Sequence, residues 1–187
     1  MQDKKLAELV KNGDMAAFEE LCGKFEHKII NIAYGMLSDY EDAKDASQEV
    51  FVKIYKNIGN FRGESALSTW IYRICKNVCT DFLRKRKDAA KSLDSDKENG
   101  VENEPFDLSK SPERLAEQHE AKRLVREALS ELDEDSRLII TMSDLAGMSY
   151  EEIAMVFVIP IGTVKSRLFR AREKLKKILW KNREHFL

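Results

Sequence analysis

Glycine and proline are scarce in this chain, at 8 and 3 of 187 residues. A turn-rich β fold needs both, so their scarcity points to helices with few breaks. Cysteine numbers only 3, and an odd count argues against a disulfide framework and for a reducing, cytoplasmic setting. No apolar run reaches the roughly 18 residues that a membrane-spanning helix requires. The polar start Met1-Gln-Asp-Lys-Lys lacks the apolar stretch of a signal peptide. His27, His119 and His185 share no metal-ligand spacing with cysteine or acid. Neither a glycine-rich phosphate loop nor a nucleophile–base pair stands out. An enzyme, a small-molecule substrate, a metal and a cofactor are therefore not expected.

Net charge is also nearly absent. The total is −1, yet 35% of residues are charged and 43% hydrophobic, so a core is available beneath a very ionic surface. The charges are segregated along the chain. Residues 161–183 carry nine bases and one acid, residues 70–91 seven bases and two acids, and residues 88–120 four bases and ten acids. Two basic stretches flanking an acidic one suit a protein that meets nucleic acid at two places.

Apolar residues recur at helical spacing over residues 4–37: Leu6, Leu9 and Val10, then Ala17, Phe18, Leu21, Phe25, Ile29, Ile32, Ala33 and Leu37. Asn12-Gly13-Asp14 interrupts them, and Asp14 suits the N-cap of the second segment. Ser38-Asp39 opens a helix to about Asn57 with Ala43, Ala46, Val50, Phe51 and Ile54 inward. After the break at Gly59–Gly63, Ser68 or Thr69 is the expected cap of a helix to about Lys87, striped by Ile71, Ile74, Cys75, Val78 and Phe82. Residues 88–112 lose the period and gain Asp, Ser, Glu, Asn, Gly and Pro, the composition of a mobile linker. Periodicity resumes from about Pro112. The expected fold is all-α: a helical domain over 1–87, a flexible acidic linker over 88–112, and a second helical domain over 113–187.

The most specific local pattern runs from Ser149 to Leu168. Ser149 and Glu152 have capping-box spacing, Gly147 suits the end of the preceding helix, and Pro160 stops the first motif helix. The following helix turns Val164, Leu168, Ala171, Leu175 and Ile178 inward, leaving Thr163, Lys165, Ser166, Arg167, Arg170 and Arg172 outward. This is a helix-turn-helix pattern, whose second helix enters a DNA major groove about 12 Å wide. Lysine and arginine neutralise phosphates there, and arginine also reads guanine.

In the first half, Asp42, Asp45 and Glu49 with Gln48 form an acidic stripe, which suits either a solvated face or a docking face. Trp70, Tyr72, Arg73, Lys76, Asn77, Thr80 and Arg84 lie off the apolar stripe of their helix. Aromatics among bases and amides suit single-stranded nucleic acid, although Trp70 and Tyr72 equally suit a core. Asn60, Phe61 and Arg62 form a loop that could line a pocket for an extruded base. Cys75 and Cys79, four apart on one face, read as a core pair beside a metal or redox alternative.

Asp42-Ala-Lys-Asp-Ala-Ser-Gln-Glu-Val-Phe51, Phe61-Arg-Gly-Glu-Ser65, Ser68-Thr-Trp-Ile-Tyr-Arg-Ile74 and Ile159-Pro-Ile-Gly-Thr-Val-Lys-Ser-Arg-Leu168, followed by Arg170-Ala-Arg-Glu-Lys-Leu175, resemble the extracytoplasmic-function (group IV) sigma factors of bacteria, in the sigma-70 family. The resemblance covers both halves, in order. It implies a region 2 domain over 1–87 and a region 4 domain over 113–187. It also implies partners: core RNA polymerase through its β′ clamp helices and β subunit, promoter DNA, and an anti-sigma factor. Docking on the clamp helices falls on Asp45, Gln48 and Glu49. Recognition and melting of the −10 element falls on Asn60, Phe61, Arg62, Trp70, Arg73 and Asn77. Reading of the −35 element falls on Thr163, Lys165, Ser166, Arg167 and Arg170.

Three positions depart from the pattern. Val158 stands where glycine is common in the turn, Met155 where a polar residue is usual, and Lys44 where an acid is frequent. A β-branched residue disfavours positive φ, so the turn is expected to change geometry or carry strain. A linker of about 25 residues spans at most ~85 Å and averages ~28 Å as a coil. Promoter elements about 17 base pairs apart are separated by ~58 Å at ~3.4 Å per step. The free protein should therefore be compact and bind promoter duplex poorly. Two rivals stand beside the sigma reading: a dimeric helix-turn-helix regulator, which would leave residues 42–51 and 60–77 idle, and a helical interaction module charged only for solubility.

Overall fold

A computed structural model describes residues 2–92, 121 and 123–182, and these are helical apart from short turns and loops. The all-α expectation holds. The expected linker beyond residue 92, the helix start near Pro112, and His119, Arg183 and His185 lie outside the described residues. In order come α1 (Gln2–Lys11), α2 (Met15–Leu37) and α3 (Tyr40–Asn57), then a 3₁₀ turn (Ile58–Asn60) and α4 (Leu67–Ser92). After α5 (123–130) come α6 (Glu134–Ile140), a π turn (Thr141–Leu145), α7 (Tyr150–Phe157) and α8 (Ile161–Asn182).

Local caps set the starts of α2, α3, α6 and α7. Asp14 accepts from the Ala17 N–H at 3.1 Å, Asp39 from Asp42 at 2.9 Å, and Asp133 from Ser136 at 2.9 Å. Ser149 and Glu152 complete a capping box: the Glu152 N–H donates to Ser149 Oγ at 3.1 Å and the Ser149 N–H to Glu152 Oε2 at 2.9 Å. α4 differs from expectation at both ends. It starts at Leu67, whose buried side chain begins the apolar stripe, so Ser68 and Thr69 lie within its first turn. It also continues past Lys87 to Ser92.

α2 is the central rod of the first half. Its residues Leu21, Phe25, Ile29, Ile32 and Met36 follow the helical period and are all but fully buried. Against them pack Ala43, Ala46, Val50 and Ile54 of α3 and Ile71, Tyr72, Cys75, Val78 and Cys79 of α4. Each large aliphatic side chain buried this way contributes about 1.5–3 kcal/mol. Tyr72 belongs to this core, 2% exposed, with its ring edge-on to Phe25 at 5.9 Å. Cys75 and Cys79 are core as well. A hydrogen bond with Cys79, together with burial, holds the Cys75 thiol well above its usual pKa and so protonated and unreactive.

The second half builds its own apolar centre from Leu138, Ile139, Ile140, Met142, Ile153, Val156, Val164, Leu168 and Ala171. The two halves then pack on each other, so that one apolar cluster runs through both. The end of α2 lies against α6 and the π turn, and the start of α4 lies against α7. At Gly35 the approach is so close that a Cβ would fall 2.5 Å from Thr141 Cγ2 and 2.9 Å from Leu145 Cδ1. Arg137, 9% exposed, donates to the Met36 carbonyl of α2 at 2.9 Å and to the Leu132 carbonyl at 3.2 Å, tying the end of α2 to the α5–α6 turn.

Candidate nucleic-acid interface

Three surfaces carry the residues singled out by sequence. The first is the outer face of α3. Asp45 and Gln48 are exposed, while Glu49 is half-buried and pairs with Lys53 at 2.8 Å. The same face continues to Val52 and Tyr55, which are 49% and 46% exposed. Tyr55 is held by an edge-on contact with Phe18 at 5.0 Å. An acidic end and an apolar end on one face are suited to a protein partner. Sequence reading named neither Val52 nor Tyr55: both fall outside its inward set of Ala43, Ala46, Val50, Phe51 and Ile54, and it took only the polar residues of the outer face.

The second surface is the 60–66 loop with the outer side of α4. Asn60 and Arg62 are exposed, but Phe61 is 5% exposed, its ring 5.6 Å from Trp70 and beneath Lys11 at 5.8 Å. Phe61 therefore forms the floor of this loop rather than a free stacking platform. Gly63, at φ 72°, provides the left-handed residue that closes the loop, and exposed Lys4 of α1 lies beside it. Trp70 is half-buried and Asn77 is exposed. Arg73 points the other way, into the seam, where its Nη2 donates to the Met155 carbonyl of α7 at 2.6 Å. In the basic run that follows, Arg84 pairs with Asp81 at 3.1 Å, Arg86 donates to the Leu37 carbonyl at 3.0 Å, and Lys87 pairs with Glu134.

The third surface is the outer side of α8. Lys165, Ser166 and Arg170 are exposed and Thr163 half-buried, near the start of the helix. Arg167 lies 3.6 Å from Asp135. Arg172 is not free for a ligand: it grips Asp144 through two nitrogens at 2.6 and 3.1 Å. Burial alone would raise the Asp144 pKa, but this arginine and Ser143 outweigh it and hold the carboxyl below its usual value. Lys174 similarly takes Asp133 at 2.7 Å, and that hydrogen bond brings the Asp133 pKa down to about 2. Phe169 stands 68% exposed among the bases, an aromatic that sequence reading passed over.

Between α7 and α8, Val158 has φ 56° and ψ 49°, the left-handed conformation that a glycine would take. The turn keeps its shape and the valine bears the strain, the second of the two outcomes expected. Gly147, at φ 62°, ends the preceding π turn. The geometry is that of a helix-turn-helix with an open basic second helix.

Residues 21–89 match the sigma-70 region 2 family and residues 122–175 the sigma-70 region 4 family. The chain belongs to the extracytoplasmic-function sigma factors of the sigma-70 family. It is similar to the RNA polymerase sigma-H factor of Pseudomonas aeruginosa, 40% identical over 181 residues, or 95% of this chain and 94% of that one. It is also similar to the ECF RNA polymerase sigma-E factor of Escherichia coli K12, 36% identical over 94% and 93% of the two chains. The sigma factor RpoE of Bartonella quintana, solved with the anti-sigma factor NepR, superposes with a TM-score of 0.67 at 25% identity, over 87% of this chain and 96% of that one. CnrH, solved with the cytosolic domain of CnrY, shares the fold with a TM-score of 0.72 at 24% identity, over 97% and 99%. This sigma factor directs RNA polymerase to promoters and promotes initiation of transcription. No helix among its described residues is long and apolar enough to cross a membrane.

Proposed function

We propose a division of labour among the three surfaces. The α3 face docks on the β′ clamp helices of core polymerase through Asp45, Gln48 and Glu49, with Val52 and Tyr55 as its apolar end. The 60–66 loop and α4 take the melted −10 element: Asn60 and Arg62 contact the extruded base over the Phe61–Trp70 floor, and Asn77 holds the strand, joined by Arg73 once it leaves the Met155 carbonyl. α8 reads the −35 element through Thr163, Lys165, Ser166, Arg167 and Arg170, with the Phe169 ring available to a thymine methyl. The halves correspond to domains over 1–87 and 113–187, with an acidic linker through the polymerase. The protein works without catalysis of its own, in the cytoplasm where polymerase is, and is restrained by an anti-sigma factor. The observation that carries this reading is the pairing of two separate basic helical faces with an acidic and apolar face on α3.

The test is binding by reconstituted holoenzyme. Asn60→Ala with Arg62→Ala should weaken capture of a −10 non-template strand about tenfold or more, and Lys165→Ala with Arg170→Ala should weaken −35 duplex binding similarly. Each pair should leave the other ligand nearly unaffected. A regulator that reads duplex alone would be insensitive to the first pair, and that result would reject the reading.

A further inference from the structure

We propose that α1 is a further contact for the melted strand: Lys4, together with Arg62 at the tip of the 60–66 loop, holds a backbone phosphate next to the extruded base. This rests on the reading of that loop as the site that captures the base.

By sequence α1 looks almost neutral, with Lys4, Lys5 and Lys11 set against Asp3 and Glu8. The fold redistributes those charges. Asp3 is taken by Lys24 of α2, and Glu8 by Lys11 at 2.7 Å. Lys4 and Lys5 are left exposed, with no ion pair among the described residues.

α1 is also anchored. Leu6, Ala7 and Val10 are buried, and the Asp3–Lys24 pair ties the first turn to α2, so Lys4 stands on a fixed element rather than a fraying end. Lys4 and Lys11 are seven residues apart, which brings both to one side of the helix, about 10.5 Å apart along its axis. That side meets the loop. Lys11 lies over the Phe61 ring at 5.8 Å, and Lys4 Cε lies 3.9 Å from where a Cβ on Gly63 would stand. Gly63, at φ 72°, makes the turn there, and its lack of a side chain leaves Lys4 close to the loop backbone. Arg62, the preceding residue, is exposed and likewise has no ion pair among the described residues. The loop's own base and acid, Arg62 and Glu64, cancel, so Lys4 makes this rim of the Phe61 floor positive.

An extruded base is held by its ring and its edges, but the strand on either side of it remains a string of phosphate charges. Two cations flanking a loop tip, one of them on a fixed helix, suit such a phosphate. They fix the path of the strand and carry no base information.

The test titrates reconstituted holoenzyme with fluorescent −10 non-template oligonucleotides across a range of salt. One phosphate contact on a single strand contributes about 0.7 to the slope of log K against log salt, so Lys4→Gln should lower the slope by about 0.7, a loss of about fivefold at ~0.1 M salt that fades toward ~1 M. Lys4→Arg should keep the wild-type slope. Lys5→Gln is the control: it removes the same charge one residue on, turned about 100° around the helix, and should cost less than about twofold. A neutral methylphosphonate, moved one linkage at a time along the strand beside the extruded base, should reproduce the loss at a single linkage, where Lys4→Gln then costs nothing more. Equal losses in Lys4→Gln and Lys5→Gln, or no linkage whose neutralisation erases the Lys4 effect, would overturn the proposal. If Asn60→Ala with Arg62→Ala leaves strand capture unchanged, the loop reading is wrong and the proposal falls with it. If that pair weakens capture while Lys4→Gln keeps the wild-type slope, the α1 contact alone is refuted.

Discussion

Val158 offers a quantitative check on the helix-turn-helix. Its φ of 56° places a β-branched side chain in the left-handed region, which costs about 1–2 kcal/mol for a residue with a Cβ. The side chain is 77% exposed, so little burial offsets that strain. Replacing it by glycine removes the strain and keeps both N–H groups on the Ala154 carbonyl. Against this stands the greater freedom of glycine in the unfolded chain, about 0.5–1 kcal/mol. The net expectation for Val158→Gly is a stabilisation of roughly 1 kcal/mol, or about 2–4 °C in Tm for a chain of this size. Val158→Asn, which tolerates the same conformation, should stabilise by less. Guanidinium unfolding followed by circular dichroism, at constant m-value, reads the difference. A clearly destabilising Val158→Gly would refute the strained-turn argument, and so the assigned geometry of the reading head.

Other outcomes follow from the same contacts. Phe61→Ala should destabilise the first half by about 3–5 kcal/mol, because the ring is core, whereas Arg62→Ala should leave thermal stability within about 0.5 kcal/mol. Arg172→Ala should leave the salt slope of −35 duplex binding nearly unchanged and cost stability by less than about 1 kcal/mol, its pair with Asp144 being largely exposed; Lys165→Ala should reduce the slope by about one. The Asp133 carboxyl titrates at about 2 in the folded state, against an ordinary value of 3.8. Its pairing therefore stabilises the fold above about pH 4, and that contribution is lost as pH falls toward 2. Lys174→Met should flatten this part of an acid-unfolding curve, and an unchanged curve would discount the pair.

Much of the fold was legible because its signals are local. Asp14, Asp39, Ser149 with Glu152, and Gly147 each act within four residues of themselves, and each takes the predicted role. The α2 stripe is a clean helical period, and the four ordered motifs identify the family. What stayed hidden depends on distant contacts. Phe61 and Tyr72 look like base-stacking aromatics in a basic stretch, but Trp70 and Phe25, which bury them, come from other turns and other helices. Arg172 resembles its neighbours in sequence, yet Asp144 lies 28 positions away. The π turn at Thr141–Leu145 inserts a residue that no periodicity reveals. Gly35 reads as one small residue in a helix, and only the packed Thr141 shows that it sets the distance between the two halves.

The central claim is that the α3 face delivers this sigma factor to polymerase. Run-off transcription from a library of promoter fragments tests it most directly, with purified core polymerase and either the wild-type chain or the Asp45→Lys, Glu49→Lys variant. Both positions are at the surface, and the lost Glu49–Lys53 pair is worth less than about 1 kcal/mol, so the variant should keep its helicity and Tm. The account predicts promoter-specific transcripts with the wild type and none with the folded variant. Undiminished specific transcription by the variant would contradict it.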